Sequence, residues 1–111
     1  MIFITGPLFS GKKEYVRNAL RWTEEAFERN AVWDVQDLAA EANDLEELAN
    51  QLAEKQVVIA TEVGGGVVPM DPKERRNRES AGRLSCLLAE RADTVIRVFC
   101  GLPRALKGEL L

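Results

Sequence analysis

Apolar positions along the chain alternate between short unbroken runs and stretches with helical spacing. Met1 to Thr5 is a continuous β-favouring run closed by Gly6-Pro7, the pattern of a strand buried on both faces. From Gly11 to about Arg29, Val16, Leu20, Thr23 and Phe27 recur at helical spacing between charged residues, which predicts one amphipathic helix. Ala31 to Val35 reads as a short strand containing Asp34. Asp44 then looks like a helix cap with Glu47 three positions on, and Leu45, Leu48, Ala49 and Leu52 form the stripe of a helix ending near Lys55. Val57 to Thr61 is a second buried strand, stopped by Gly64-Gly65-Gly66. Asp71-Pro72-Lys73-Glu74 starts a long helix to about Ala92, with Ala81, Leu84, Leu88 and Ala92 on its buried side. Thr94 to Cys100 is a third strong strand, which Gly101-Leu102-Pro103 ends.

Strands separated by helices imply right-handed crossovers and a parallel sheet, so the predicted class is α/β with flanking helices. With 111 residues, the chain has room for a single domain spanning residues 1–111. Three helices are few for covering both faces of a parallel sheet, and Leu84, Leu87 and Leu88 are many for one narrow stripe, so a homo-oligomer is expected.

Composition narrows the function. A hydrophobic fraction of 46% with 30% charged residues excludes a disordered chain, and no apolar run reaches the roughly 18 residues of a membrane span. The sequence contains no His, which removes imidazole bases, nucleophiles and metal ligands. A net charge of −3 argues against nucleic acid as a partner. The charge is also uneven: residues 23–56 carry ten acidic and two basic side chains, while residues 1–22 carry four basic and one acidic. An anion site is therefore expected in the first stretch, or in the basic one that follows Asp71. Cys86 and Cys100 are too far apart in sequence, and too poorly accompanied, for a zinc site. With no basic leader before Met1-Ile2-Phe3-Ile4, a cytoplasmic location is expected.

The residues that carry chemistry are Gly6-Pro7-Leu8-Phe9-Ser10-Gly11-Lys12, which fit seven positions of the phosphate-loop pattern G-x-x-x-x-G-K-[ST] between a predicted strand and a predicted helix. Glycines let backbone N–H groups wrap a phosphate, the helix start attracts the anion, and Lys12 reaches the terminal phosphates. Lys13 stands where a hydroxyl would ligate Mg²⁺, and an ammonium cannot do so. Phosphate binding survives that change, whereas a role for Mg²⁺ is doubtful.

The run Glu62-Val63-Gly64-Gly65-Gly66-Val67-Val68-Pro69, the segment Arg75-Arg76-Asn77-Arg78-Glu79-Ser80-Ala81-Gly82-Arg83-Leu84, the turn Gly101-Leu102-Pro103 and the phosphate loop together closely resemble the adenosylcobinamide kinase / adenosylcobinamide-phosphate guanylyltransferase family of cobalamin biosynthesis. The resemblance implies a RecA-like P-loop NTPase fold in reduced form, with ATP or GTP as phosphoryl donor and a corrinoid as acceptor. It implies that Gly6, Pro7, Leu8, Phe9, Ser10, Gly11, Lys12 and Lys13 hold nucleotide phosphates, with Lys12 and Glu62 catalytic. Asp34 would match the acidic residue ending the Walker B strand and is the metal candidate, a surface acid being the alternative. The family's histidine and its basic segment are missing, so a histidine-linked GMP intermediate is impossible and guanylyltransferase activity should be absent. Both ends of the family pattern are present, which reads as internal shortening. A non-catalytic relative that keeps fold and interface is the alternative.

Overall fold

The computed structural model describes residues 1–63 and 71–111. The glycine run Gly64-Gly65-Gly66, expected to stop the second buried strand, and the Val67-Val68-Pro69 part of the family pattern lie outside the described residues. Chain order is β1 (Ile2–Gly6), α1 (Lys12–Leu20), α2 (Glu24–Asn30), β2 (Ala31–Val32), α3 (Gln36–Ala39), α4 (Leu45–Leu52), β3 (Val57–Thr61), α5 (Pro72–Arg91), β4 (Thr94–Phe99) and β5 (Leu102–Lys107).

The sheet runs β2-β3-β1-β4-β5, with every pair parallel except the antiparallel β4–β5 hairpin at one edge. β1 is central, so its Ile4 sits level with Ile59 on one side and Ile96 on the other. Alternation along β1 sends neighbouring side chains to opposite faces. Phe3 joins a cluster with Val58, Leu84 and Leu88 beneath α5, whereas Ile4 joins Val16, Phe27, Ile59 and Ile96 beneath α1 and α2. The mostly parallel α/β class expected from the sequence is therefore the one observed.

Four expectations are corrected. The single helix from Gly11 to Arg29 is two: Arg21 takes a left-handed conformation (φ 54°) and closes α1, after which the Thr23 hydroxyl oxygen accepts the Ala26 N–H at 3.1 Å and starts α2. The strand at Ala31 to Val35 stops at Val32, because Asp34 is left-handed (φ 56°) and Val35 already begins the turn into α3. The strand from Thr94 does end at this turn, where Cys100 (φ 52°) and Gly101 (φ 75°) are two central residues with positive φ, but Leu102 and Pro103 are not part of the stop: they open a further strand, β5, which returns alongside β4. Pro103 is compatible with β5 because that strand lies at the edge. Among the described residues five helices rather than three flank the sheet, with a buried cluster on each face, and Leu87 packs against the α5-side cluster. The missing-cover premise behind the homo-oligomer is thus removed.

The caps of α4 and α5 are as expected. The Asp44 carboxylate accepts from the Glu46 and Glu47 N–H groups, and that of Asp71 from Lys73 ahead of Pro72. Within α5, a Cβ at Gly82 would meet nothing within 4 Å among the described residues. Gly82→Ala should therefore raise stability by about 0.5–1 kcal/mol in equilibrium denaturation, since it removes backbone entropy from the unfolded chain without crowding the helix.

Candidate functional site: the loop between the first strand and the first helix

The loop from Pro7 to Gly11 leaves the carboxyl end of the central strand, where a parallel sheet gathers ligands. Two glycines shape it. A Cβ at Gly6 would collide with the Val98 carbonyl oxygen of the neighbouring strand, and Gly11 is left-handed (φ 88°) at the N-cap of α1. Gly11 has no side chain to cap with. Helices α2, α4 and α5 each begin on a side-chain oxygen from Thr23, Asp44 or Asp71, whereas α1 has no such cap, so its first-turn N–H groups can receive an external anion.

Lys12 is the first residue of α1 and only 8% exposed. Its ammonium donates to the carbonyl oxygens of Pro7 at 2.7 Å and Gly6 at 3.3 Å, folding the side chain back over the loop. Burial lowers its pKa below the ordinary 10.5; the Asp34 and Glu62 carboxylates oppose that shift and the Lys13 ammonium adds to it. The Ser10 hydroxyl is buried and, among the described residues, has no hydrogen-bond partner, a polar group available inside the loop. Phe9, by contrast, stands 95% exposed at the loop tip in a left-handed conformation (φ 57°).

A cavity of about 420 Å³ opens here, lined by the loop from Leu8 to Lys13 together with Glu14, Asp34, Ile59 and Thr61. The structure thus brings Asp34, two strands away from the loop, to the same cavity as Lys12 and Lys13. Lys13 lies with its ammonium 4.8 Å from the ring centroid of Trp33, and Trp33 stacks on Phe27 with centroids 5.2 Å apart.

Glu62 takes a different place. Its backbone N–H donates to the Gly6 carbonyl at 2.8 Å, anchoring it beside the loop, but its carboxylate is gripped by Arg97 from β4, at 2.7 Å to Nε and 3.0 Å to a terminal nitrogen. Arg97, whose guanidinium also lies 5.4 Å from the Phe99 ring, is a site residue that sequence reading missed. Its pKa is raised by that hydrogen-bonded carboxylate. Both partners are substantially exposed, so Arg97→Met should leave the thermal denaturation midpoint essentially unchanged.

Lys13 occupies the hydroxyl position, Asp34 is exposed on a left-handed turn, and among the described residues no cluster of three or more acidic or thiol side chains is placed to hold a metal.

A family model described as cobinamide kinase / cobinamide phosphate guanyltransferase matches residues 13–106. The bifunctional adenosylcobalamin biosynthesis protein CobP of Pseudomonas aeruginosa is 38% identical over 78 residues, which are 70% of this chain and 45% of that protein. The chain therefore matches a little under half the length of this curated relative. The family match starts at Lys13, so the loop from Gly6 to Lys12 stands on its own geometry. Among the described residues no helix is long and apolar enough to cross a membrane.

Proposed function

Because the chain belongs to the cobinamide kinase / cobinamide phosphate guanyltransferase family, we propose that it is a P-loop nucleotide-binding protein that phosphorylates a cobinamide-type corrinoid from ATP or GTP. One observation carries the reading: an uncapped helix start with a left-handed Gly11 and a buried Lys12 at the carboxyl end of the central parallel strand. On binding, the Lys12 ammonium exchanges the Pro7 and Gly6 carbonyls for phosphate oxygens, while the first-turn N–H groups of α1 hold the rest of the phosphate chain. Glu62, held as one half of an ion pair at the sheet edge, is positioned to accept the acceptor hydroxyl's proton once Arg97 is drawn toward transferred charge. A second cavity of about 560 Å³, lined by Gln36, Asp37, Ala40, Val63, Glu74 and other α5 residues, offers the acceptor its place.

The guanylyltransferase half is absent on this reading, since no histidine exists to carry GMP. Calorimetric titration with ATP and GTP, followed by an assay of phosphoryl transfer to adenosylcobinamide, tests both parts. Failure of both nucleotides to bind at millimolar concentration overturns the site. Binding without transfer favours the second reading, a non-catalytic relative, which Lys13 in the hydroxyl position supports. Self-association belongs to the same proposal, resting on exposed Phe99, Leu102 and Leu106 along the β4–β5 edge, and light scattering should give at least twice the mass of one 12.4 kDa chain.

A further inference from the structure

We propose that the loop takes its nucleotide as a metal-free polyanion, with the Lys13 ammonium supplying beside the phosphates the charge that a divalent cation would otherwise supply. This deepens the P-loop reading above and rests on it.

Lys13 is the second residue of α1, and its side chain lines the same cavity as Lys12 and Asp34. The side chain is not free to wander. Its ammonium sits over Trp33, and Trp33 is fixed in turn by stacking on Phe27, a buried member of the α1–α2 core. Trp33 immediately precedes Asp34, so the platform that carries the cation and the acid that would face a metal share one turn. A divalent ion entering here would meet the ammoniums of two neighbouring residues and the positive end of α1, set against the Glu14 and Asp34 carboxylates that also line the cavity, with Glu62 already paired to Arg97. Lys12 and Lys13 are neighbours at the start of α1 and Lys13 acts on Lys12 as a like charge, behind the opposing effects of Asp34 and Glu62. A phosphate chain relieves that repulsion and a metal ion adds to it. A cation–π contact at this exposed position is weak enough for the ammonium to swing from ring to phosphate without leaving the cavity.

The test is calorimetric titration of the full chain with ATP and GTP, once with MgCl₂ and once with EDTA, while Trp fluorescence is followed. The unaltered protein should bind nucleotide tightest in EDTA and about tenfold or more weaker in MgCl₂, which converts the nucleotide to its Mg²⁺ complex, with a fluorescence change as Lys13 leaves Trp33. Lys13→Gln should weaken binding about tenfold in both buffers and lose most of that optical change, whereas Lys13→Arg should keep both. Because residue 13 is exposed, these variants fold. Binding of the unaltered protein that is as tight or tighter with MgCl₂ than with EDTA overturns the inference and leaves the P-loop reading standing. Unchanged affinity in Lys13→Gln does the same. If the unaltered protein binds nucleotide in neither buffer, the P-loop reading falls and the inference with it.

Discussion

Lys12→Ala should reduce nucleotide affinity by roughly 10²–10³-fold while leaving the fold intact. The ammonium is the deepest charge in the loop, and two charge-assisted hydrogen bonds to phosphate at about 1.5–3 kcal/mol each give a loss of that order. Stability should move by less than about 1 kcal/mol, because Gly6 keeps its backbone hydrogen bond from Glu62 and only the Pro7 carbonyl is released to solvent. Circular dichroism and a denaturant midpoint alongside the titration separate the two effects. The pH dependence has a definite sign. Burial lowers the Lys12 pKa, so the folded protein releases this proton before the unfolded chain does, and between the lowered value and 10.5 stability rises with pH. Nucleotide affinity should fall across that same alkaline window, since it is the charged form that meets phosphate. Affinity that stays flat through it in the unaltered protein would show that Lys12 does not carry the anion.

Gly6→Ala should be the most damaging single-methyl change near the site, costing about 3 kcal/mol in urea denaturation and abolishing nucleotide binding. The new Cβ would run into the carbonyl oxygen of Val98 and stand 2.9 Å from the Ser10 hydroxyl oxygen. Val98 belongs to β4, which is held by β1 on one side and β5 on the other, so the backbone has no cheap way to retreat. Gly82→Ala, the same chemical change in open space, is expected to have the opposite sign. If Gly6→Ala proves as stable as the parent, the close approach of loop and strand is wrong.

Where a local signal was also the structural cause, the sequence was easy to read. Asp44 and Asp71-Pro72 start helices because their own side chains satisfy the first N–H groups, and Gly6 and Gly11 mark a loop where one position has no room for a Cβ and the other takes a left-handed φ. Features that depended on distant partners were hidden. Arg21 sits left-handed without the glycine that ordinarily announces such a cap, so apolar periodicity ran on through the break to Phe27. Helix α3 spans only four residues, and Gln36 at its start is tied to β3 by a side-chain bond to the Thr61 N–H, across 25 positions of sequence. Pairing of Glu62 with Arg97 required knowing that β3 and β4 flank β1 on opposite sides, a register no spacing rule supplies. Asp34 was found by position after a short strand, although the turn that presents it to the cavity is absent from any periodic pattern.

The β4–β5 turn gives the phosphate loop a direction of travel. The Gly101 N–H donates to the Ser10 carbonyl at 2.8 Å, and a Cβ on Gly11 would already stand 3.5 Å from the Gly101 Cα. The second half of the loop therefore leans on the hairpin as on a doorstop. Breathing of the loop toward β5 is blocked by backbone, whereas movement away from it, over the Asp34 side, breaks one hydrogen bond. Entry of a ligand should accordingly be one-sided. The Gly101 amide becomes a clock for it: its exchange with deuterium counts how often the loop lifts from its stop, and an anion that pins the loop down should slow that count.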